Sequence, residues 1–397
     1  MIFKSVIISI LVATIPLFLI IHKEPTQILR PTSVNNENIP AGTGLEKPSF
    51  VAKTPTLDRI FSDNHSGVTA LPPDRIRTII VTGDVIPARF VNFQASQKKD
   101  FRWPYLKTAE VLKKADITFI NMETPLIDRC PVTQEGMIFC GDSGNVEGLL
   151  YAGVDITSLA NNHAGNYGLI AVEETKRLLN TNKILTTGID GAEVIDVRGV
   201  KFAFLGYNDI SKPQLGVANV DEEKIKSDIA LARKKADVVI ITYHWGVEYR
   251  DKPDDRQKYL GRFAIDAGAD LVIGNHPHWI QPVEIYKDKL IAYAHGNFVF
   301  DQEWSLKTRQ GVVGKYTFYD NQLIDVEYLP VLIENYGQPR FLTGNEKNTI
   351  IENMKAQSED SPPKAGLLYQ MSETPYRPAE RDWYWGKNLS SGVGEGI

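Results

Sequence analysis

The stretch GADLVIGNHPHWIQP, residues 268–282, carries two histidines at the point where a buried strand is expected to end. Its apolar run Leu271–Ile273 is short and bounded by glycine, a pattern typical of a buried strand. His276 and His278 follow, one on each side of Pro277. Pro277 stiffens the turn, and residues two apart in an extended segment point the same way, so both rings can face one centre. An exposed polar turn is the alternative.

Short apolar runs alternate with longer segments of helical period from about residue 76 onward. The strand candidates are TIIVTG, ITFINM, ITSLAN, KFAFLGY, DVVIITY, DLVIGN and LIAYAHGN, and the helix candidates are YGLIAVEETKRLLN, DEEKIKSDIALARKKA and DRQKYLGRFAIDAGA. This alternation predicts a layered α/β domain with helices packed on the sheets. EVIDVRGVKFAFLG and VEIYKDKLIAYAHGN have the pattern of hairpins, so mixed sheets are expected. A strand pair over VGKYTFYDNQLIDVEYLPVLI should close the domain near residue 335.

Polar side chains collect where the predicted strands end. They are Asp84, Asn121, Glu123, Asn161, Asn162, His163, His244, His276, His278, His295 and Asn297. Five of the seven histidines of the chain are among them. Because the carboxyl ends of strands lie along one edge of an α/β sheet, these groups can converge. Imidazoles and carboxylates gathered at one edge serve either metal coordination or general acid-base chemistry.

Several of these residues also have a purely structural alternative. His244 leaves the apolar run VVIITY, where a lone histidine is more often a hydrogen-bonded core residue than a ligand. Asp84 could cap the turn that follows it, and one asparagine of ANNHAGNYG could cap a helix. An acidic group at a buried strand end, such as Glu123, needs a cation or a proton, which favours a ligand. For His295 we expect a supporting or structural role.

The first 23 residues predict a membrane anchor. Lys4 is followed by 17 uncharged residues, from Ser5 to Ile21. As a helix this run spans roughly 25 Å, which is at the short end for crossing a hydrocarbon core. The run ends without the small residues of a cleavage site, so we predict an uncleaved signal-anchor with the rest of the chain outside the cytoplasm. A cleaved signal peptide and a buried core helix are the alternatives.

Composition divides the rest of the chain. Residues 24–75 are rich in Pro, Asn, Thr, Ser and Gly and predict a flexible stalk, in which His65 receives no role. Residues 76–335 form the predicted folded domain. Residues 336–397 form a C-terminal extension, with a helix around NTIIENMKAQ and a partly disordered polar end.

Charge and cysteine usage narrow the functional class. The formal net charge is −5 and basic residues do not cluster, so the sequence gives no support to a nucleic-acid partner. Hydrophobic residues make up 43% and charged residues 23%, which is typical of a globular protein. The two cysteines, Cys130 and Cys140, lie ten residues apart. In an oxidising compartment they predict one disulfide, with two unrelated reduced thiols as the alternative.

With these residues in view, the chain resembles the CapA family of bacterial capsule (poly-γ-glutamate) synthesis proteins, whose catalytic-type domain is related to the calcineurin-like metallophosphoesterases. The motifs GDVIPAR, NMETPL, LANNHAGNYG, HWGVEY, GADLVIGNHPHWIQPVEIY and GNFVFDQ occur in the family's order, between about Ile79 and Gln302. The resemblance implies a layered metallophosphoesterase-like α/β fold with mixed β-sheets flanked by helices, plus an N-terminal membrane helix.

The resemblance also implies site roles. A divalent ion (Mn, Fe or Zn) would be held by Asp84, Glu123, Asn162, His244, His276 and His278. His163 would protonate the leaving group, and Arg89 would meet an anionic substrate, with a salt bridge as its alternative. Two positions depart from the superfamily: Ile86 stands where a histidine is common, and Glu123 stands where an aspartate usually bridges. The site could therefore hold two ions, one or none.

Together these features predict a membrane-anchored, extracytoplasmic, metal-dependent hydrolase acting in capsule or poly-γ-glutamate synthesis. Its substrate would be an anionic polymer or a phosphoester, and its partners other membrane subunits of capsule synthesis. A non-catalytic subunit that binds polymer or a synthase through the same cleft is the alternative. A cytosolic nucleotidase is disfavoured by the apolar amino-terminal run.

Overall fold

A computed structural model describes residues 52–210 and 213–359. Its strands are β1 (Ile76–Val85), β2 (Ile117–Met122), β3 (Leu126–Ile127), β4 (Gly141–Asp142), β5 (Ile156–Ser158), β6 (Leu185–Thr187), β7 (Glu193–Val197), β8 (Val200–Asn208), β9 (Val238–His244), β10 (Leu271–Asn275), β11 (Val283–Tyr286), β12 (Lys289–Ala292), β13 (Asn297–Val299), β14 (Gln310–Tyr319), β15 (Gln322–Glu334) and β16 (Gln338–Phe341). Its helices are α1 (Leu57–Ile60), α2 (Arg89–Lys98), α3 (Ala109–Leu112), α4 (Asn145–Ala152), α5 (Gly168–Thr181), α6 (Glu222–Arg233), α7 (Asp255–Asp266) and α8 (Gly344–Glu359).

Two mixed sheets carry the fold. Within the described residues the larger sheet has eight strands in the order β16-β15-β14-β1-β2-β5-β6, with β13 also paired to β1. The smaller sheet of that same region has six, in the order β11-β12-β10-β9-β8-β7. Neighbours from β1 to β6 in the first sheet, and from β8 to β12 in the second, run parallel. The predicted mixed sheets are confirmed, as are the hairpins β7–β8 and β11–β12.

The two sheets face each other across an apolar core and carry helices on their outer faces. Phe119 of β2 stacks on Phe204 of β8 with 5.7 Å between ring centroids, and Ile240 of β9 belongs to the same cluster. Helices α2 to α5 cover the outside of the larger sheet, and α6 and α7 cover the smaller one. Strand β9 is buried at every position because both of its faces are covered. The predicted layered α/β architecture is confirmed.

Capping residues in the sequence mark the starts of helices α6 and α7. Asp221 precedes α6, and its side chain accepts the backbone N–H of Lys224 at 2.9 Å. At the start of α7, Asp254 accepts the N–H of Gln257 at 2.8 Å, and the Gln257 side chain accepts the N–H of Asp254 at 3.0 Å. Such caps contribute about 1 kcal/mol each, and they begin both helices next to the sheet that the helices cover.

The folded domain extends beyond both predicted boundaries. Residues 52–75, assigned from composition to the stalk, pack on the domain: Ile60 of α1 is buried in the core between the sheets. His65, expected to have no role, lies with Nδ1 2.9 Å from Asp325 Oδ2. At the other end β16 joins the larger sheet, and α8, which contains the predicted helix, buries Met354 in the same core. These contacts lie far apart in sequence, so composition does not reveal them.

None of the helices in residues 52–210 and 213–359 combines the length and the apolar character needed to cross a bilayer. The predicted anchor, residues 1–23, lies outside the described residues. The same holds for residues 24–51 of the predicted stalk and for residues 360–397 of the C-terminal extension.

Cys130 and Cys140 form a disulfide, as predicted, with 5.9 Å between their Cα atoms. Replacing both with serine should lower the free energy of unfolding by about 3 kcal/mol, because the bridge restricts the unfolded chain. Urea titration of the two proteins measures this difference. Adding a reductant should bring the wild-type midpoint to that of the variant, whereas equal midpoints without reductant would contradict the prediction.

Candidate metal centre

The polar strand ends meet where the carboxyl ends of the two sheets come together. Asn121 of β2 connects the sheets: its Nδ2 donates to Asp84 Oδ1 at 2.9 Å and lies 3.3 Å from His244 Nδ1. Gly83 permits the close approach of β1 to the loop before β13, because a Cβ there would lie 2.4 Å from the carbonyl oxygen of Gly296. The structure thus brings the strand ends to one place, as the sequence predicts.

Three buried side chains surround what we call the first position: Asp84, Glu123 and His278. Their ligand atoms all lie within 4.8 Å of one another. His278 Nδ1 is 3.2 Å from Asp84 Oδ2, and His278 Nε2 is 3.9 Å from Glu123 Oε1. Carboxylate oxygen and imidazole nitrogen are ligands that Mn, Fe and Zn accept. The first position therefore offers a mixed set of three donors.

The second position lies between Glu123, His244 and His276, whose ligand atoms also lie within 4.8 Å. His244 Nε2 is 3.1 Å from His276 Nδ1 and 3.3 Å from Glu123 Oε1. It is 2.7 Å from Asn162 Oδ1. Donor atoms bound to one cation at about 2.1 Å are themselves about 3 Å apart, so this spacing fits a single ion. Glu123 belongs to both positions, which is the bridging place that the resemblance implies.

Glu123 supplies the test of whether these residues fit a cation. Its side chain is fully buried, and neither carboxylate oxygen has a hydrogen-bond partner. Its 3.3 Å approach to His244 is an ion-pair contact without hydrogen-bond geometry. A buried carboxylate left in this state is costly, and such groups are normally hydrogen-bonded, protonated or bound to metal. The residues around Glu123 therefore fit a divalent ion.

The electrostatic field of the cluster favours positive charge at the first position. Burial alone would lower the pKa of His278, but the carboxylates of Glu123 and Asp84 raise it to about 9. Burial also pushes the pKa of Asp84 upward, and contacts with His278, His244 and Asn121 outweigh this effect and hold that pKa below its usual value. Two buried carboxylates thus stabilise a cationic partner in spite of desolvation.

The backbone around the paired histidines differs from the expectation. His276 and His278 have positive φ angles of 96° and 56°, so the expected extended segment is wrong. The chain bends on both sides of Pro277, and two long-range bonds hold it there. The N–H of His276 donates to Asp84 Oδ2 at 3.3 Å, and the N–H of Tyr249 donates to the carbonyl of Pro277 at 2.8 Å. Both rings reach the cluster through this strained turn.

His163 lies beside the cluster, mostly buried, on the loop before α5. Its ring stacks on Phe139 with 4.2 Å between centroids, and its Nδ1 is 2.9 Å from Asn166 Oδ1. The Asn161 side chain accepts the N–H groups of His163 and Ala164 at 3.2 and 2.8 Å, so this asparagine shapes the loop. Burial lowers the pKa of His163, while the Glu123 carboxylate opposes that shift.

Arg89 lies outside both positions. It forms an ion pair with Asp301, and its guanidinium lies 4.9 Å from the ring centroids of Phe139 and Phe300. The salt bridge that was the alternative role for Arg89 is therefore present, although both side chains are largely buried. Ile86 is buried among Ala88, Phe139 and Phe300 and offers no ligand.

The structure adds residues that sequence reasoning missed. Glu248 is half-buried, and its carboxylate lies within 4.8 Å of ligand atoms of His276 and His278. It is an additional candidate ligand, and its signal was an acidic residue inside the motif HWGVEY. Asn166 lies in the motif LANNHAGNYG but was given no role, and Phe139 carried no signal because only the tertiary fold brings it to His163.

His295 has the supporting role that was expected. It is buried, with Nδ1 3.4 Å from the carbonyl of Gly274 and Nε2 2.8 Å from the hydroxyl of Tyr316. Burial lowers the pKa of His295 to about 4. The folded protein therefore holds the His295 ring in its neutral form.

This depressed pKa predicts a pH-dependent contribution to stability. A histidine in the unfolded chain has a pKa of about 6.5. As the pH falls, His295 therefore gains a proton in the unfolded state before it gains one in the folded state. The contribution of His295 is complete above that value and is lost as the pH falls toward 4. We expect a loss of about 3 kcal/mol over this range. Urea unfolding at several pH values should give a flatter pH dependence for His295→Gln; parallel curves would contradict the assignment.

Comparison with known proteins identifies the family. Residues 78–302 match the family described as bacterial capsule synthesis protein PGA_cap. The chain is 31% identical over 304 residues to the PGA biosynthesis protein CapA of Bacillus subtilis, covering 72% of this chain and 79% of that protein. It is 28% identical over 300 residues to the capsule biosynthesis protein CapA of Bacillus anthracis, covering 70% and 72%.

A solved structure of a novel phosphatase from Mycoplasma pneumoniae aligns over 66% of this chain and 95% of that one, with 14% identity and a TM-score of 0.46. That degree of likeness says nothing about the reaction. The match to residues 78–302 spans more than half of the 397 residues and agrees with the stretch that carries the predicted motifs. This chain belongs to the family of bacterial capsule synthesis proteins, PGA_cap.

Proposed function

We propose that this chain is a metal-dependent hydrolase of capsule synthesis, anchored by residues 1–23 with its folded domain outside the cytoplasm. The relatives named for capsule and PGA biosynthesis support poly-γ-glutamate assembly as the process. The disulfide supports an oxidising compartment. The bond cleaved would be a phosphoester or an amide-like linkage, and the partners would be other membrane subunits of capsule synthesis.

The observation that carries the proposal is the buried Glu123 carboxylate. It has no hydrogen-bond partner and is shared by two groups of candidate ligands. A purely structural role would leave this charge uncompensated, whereas a cation would satisfy it and would draw His244, His276 and His278 into one assembly. A divalent ion held there would supply Lewis acidity and lower the pKa of water toward neutrality.

The other residues divide the remaining tasks. Asn162 and His244, whose side chains meet at 2.7 Å, would hold the second position together. His163 would deliver a proton to the leaving group from its place beside the cluster. Arg89 borders a cavity of about 840 Å³ that is also lined by Asp301 and Trp304. This cavity is large enough for a segment of a polymer chain; its lining also includes Glu135, and the charge of Arg89 is paired with Asp301.

Metal content and hydrolysis test the proposal together. The purified full-length protein should contain Mn, Fe or Zn by elemental analysis, and it should hydrolyse a generic phosphodiester faster than buffer does. Chelation should abolish the activity and readdition of the ion should restore it. A protein that retains no divalent ion after purification and after incubation with each of these metals would contradict the proposal.

A non-catalytic binding subunit is the second candidate, and one observation favours it. Ile86, which stands where a histidine is common according to the resemblance, is buried in an apolar cluster and supplies no donor. Under this candidate function, the cleft would bind polymer or a synthase without cleaving a bond. A strain carrying His163→Ala in place of the native residue would then still make capsule, whereas removing residues 1–23 would abolish capsule production.

A further inference from the structure

We propose that the loop closed by the Cys130–Cys140 disulfide positions His163 and selects its tautomer, acting through Phe139 and Asn166. The meaning of this arrangement for catalysis rests on the proposed function. The arrangement itself is a matter of hydrogen-bond geometry. In this role Phe139 and Asn166 are positioning residues, and the disulfide loop is part of the site.

The first step fixes the orientation of the Asn166 amide. The backbone N–H of Phe139 lies 2.7 Å from one side-chain atom of Asn166. A backbone N–H can only donate a hydrogen bond, so the atom that faces it must be the oxygen Oδ1. The N–H of Phe139 therefore determines that the oxygen of this amide faces the loop. Without such a partner, the amide oxygen and nitrogen of an asparagine cannot be told apart.

The second step fixes the proton on His163. The same oxygen, Asn166 Oδ1, lies 2.9 Å from His163 Nδ1. Because an amide oxygen can only accept, Nδ1 must carry the hydrogen of the neutral ring. Nε2 is then the nitrogen that takes up a proton from solvent, and the doubly protonated ring passes that proton from Nε2 to the leaving group and returns to the Nδ1–H form. The tautomer of His163 is thus dictated by a main-chain group of the disulfide loop, 24 residues earlier in the chain.

Ring packing fixes the plane of the imidazole. Phe139 stacks on His163 with an interplanar angle of 28° and is itself only 2% exposed. The Arg89 guanidinium lies 4.9 Å from the Phe139 ring centroid, and its Nη1 donates to the carbonyl of Gly136 at 3.0 Å. The ion pair of Arg89 with Asp301 holds that guanidinium in place. Arg89 therefore secures the loop as well as bordering the cavity.

The disulfide adds a covalent restraint to these contacts of the loop. Met137 and Ile138, just before Phe139, are 61% and 66% exposed. Cys130 and Cys140 are each 5% exposed, and Cys140 directly follows Phe139. The covalent bridge thus fixes the residue next to the one that contacts His163. Opening the bridge should let Phe139 leave, which frees the Asn166 amide to rotate and the His163 ring to change tautomer.

The tautomer can be read directly by NMR on full-length protein labelled with ¹⁵N-histidine, with Zn²⁺ as the only divalent ion added. Long-range ¹H–¹⁵N spectra at pH 8 distinguish a ring protonated at Nδ1 from one protonated at Nε2, and His163→Gln assigns the signals. We expect the Nδ1–H form in the wild type. Asn166→Asp, which keeps an acceptor, should retain this form, and Asn166→Leu, which has nearly the same shape without an acceptor, should lose it.

The Cys130→Ser/Cys140→Ser double variant should show the same loss, and hydrolysis provides a second measurement. For a substrate with a poor leaving group, Asn166→Leu should lower kcat by about 10²-fold with little change in KM, and Asn166→Asp should restore most of the rate. An Nε2–H ring in the wild type, or the same tautomer in Asn166→Leu and Asn166→Asp, would overturn the inference. If the double variant does not fold, the Asn166 pair decides the outcome.

The two proposals fail separately. The tautomer is measured without substrate, so a protein that hydrolyses nothing but loses the Nδ1–H form in Asn166→Leu would retain the positioning role and refute the hydrolase. If the protein hydrolyses the substrate but the His163 tautomer is unchanged in Asn166→Leu and in the cysteine double variant, only the positioning role is refuted. Circular dichroism and metal content of each variant establish that the fold and the metal centre are intact.

Discussion

Replacing Glu123 with glutamine is expected to abolish binding of divalent ions and, at the same time, to make the metal-free protein more stable. The first effect follows because Glu123 is the candidate ligand common to both positions. Glutamine has no carboxylate charge, so each of the two positions loses one negatively charged donor. We expect metal affinity to fall by at least about 100-fold, the upper range for removing groups that only support a ligand.

The stability effect has the opposite sign. In the metal-free protein the Glu123 carboxylate is fully buried beside Asp84 and has no hydrogen-bond partner, so its charge is poorly compensated. Removing that charge should raise the free energy of unfolding by about 1–3 kcal/mol. With metal at 1,000 times the wild-type Kd, wild type gains about 4 kcal/mol, whereas a variant with about 100-fold weaker affinity gains about 1.4 kcal/mol. Metal should therefore shift the stability difference toward wild type by at least about 2.7 kcal/mol.

Glu284→Gln is a matched control for this experiment. Glu284 is also a buried glutamate, but its carboxylate accepts from Arg262 Nε at 2.8 Å and from the Tyr293 hydroxyl at 2.6 Å. Its replacement should lower stability equally with and without metal and leave the metal content unchanged. Urea unfolding in EDTA and in excess Mn²⁺, with elemental analysis, measures both variants. Wild-type metal content in Glu123→Gln would refute the metal centre.

Replacing His163 with alanine is expected to lower the hydrolysis rate by about 10²- to 10⁴-fold for substrates with poor leaving groups. The metal content should remain unchanged, because His163 belongs to neither group of candidate ligands. Substrates with an activated leaving group, which needs no proton, should be cleaved at nearly the wild-type rate. Comparing a nitrophenyl ester with an alkyl ester of the same phosphate therefore isolates the role of the proton.

His65→Ala serves as the control for histidine removal. His65 pairs with Asp325 on β15 and has no contact with either position, so its loss should change stability without changing the ratio of rates between the two substrates. Equal losses on both substrates in His163→Ala would show that His163 is not the proton donor. Unaltered capsule production by a strain carrying His163→Ala would favour the binding subunit over the hydrolase.

Most of the fold can be predicted from the sequence because its signals are local. The run VVIITYH becomes β9, buried at every position, since hydrophobic period and β-branching act over a few residues. The ends of such runs also predict much of the site. Asp84 and His244 follow buried strands directly, and the carboxyl ends of parallel strands share one edge.

Other features depend on contacts between distant parts of the chain. The positive φ angles of His276 and His278 are held by bonds to Asp84 and Tyr249, which no local pattern encodes. Arg89 binds Asp301, and this partner lies more than 200 residues away in the chain. The packing of α1 and α8 on the sheets has the same origin.

The sequence by itself determined the strands, the helices and the chemical types of the candidate ligands, because each depends on the pattern of a few consecutive residues. Only the tertiary structure decided the distances that place Glu123 in two groups of candidate ligands and that connect the disulfide loop to His163 through Asn166. The physical reason is that both depend on how the two sheets and the loop are placed in space. That placement follows from burial of the whole core and is not encoded in any single segment.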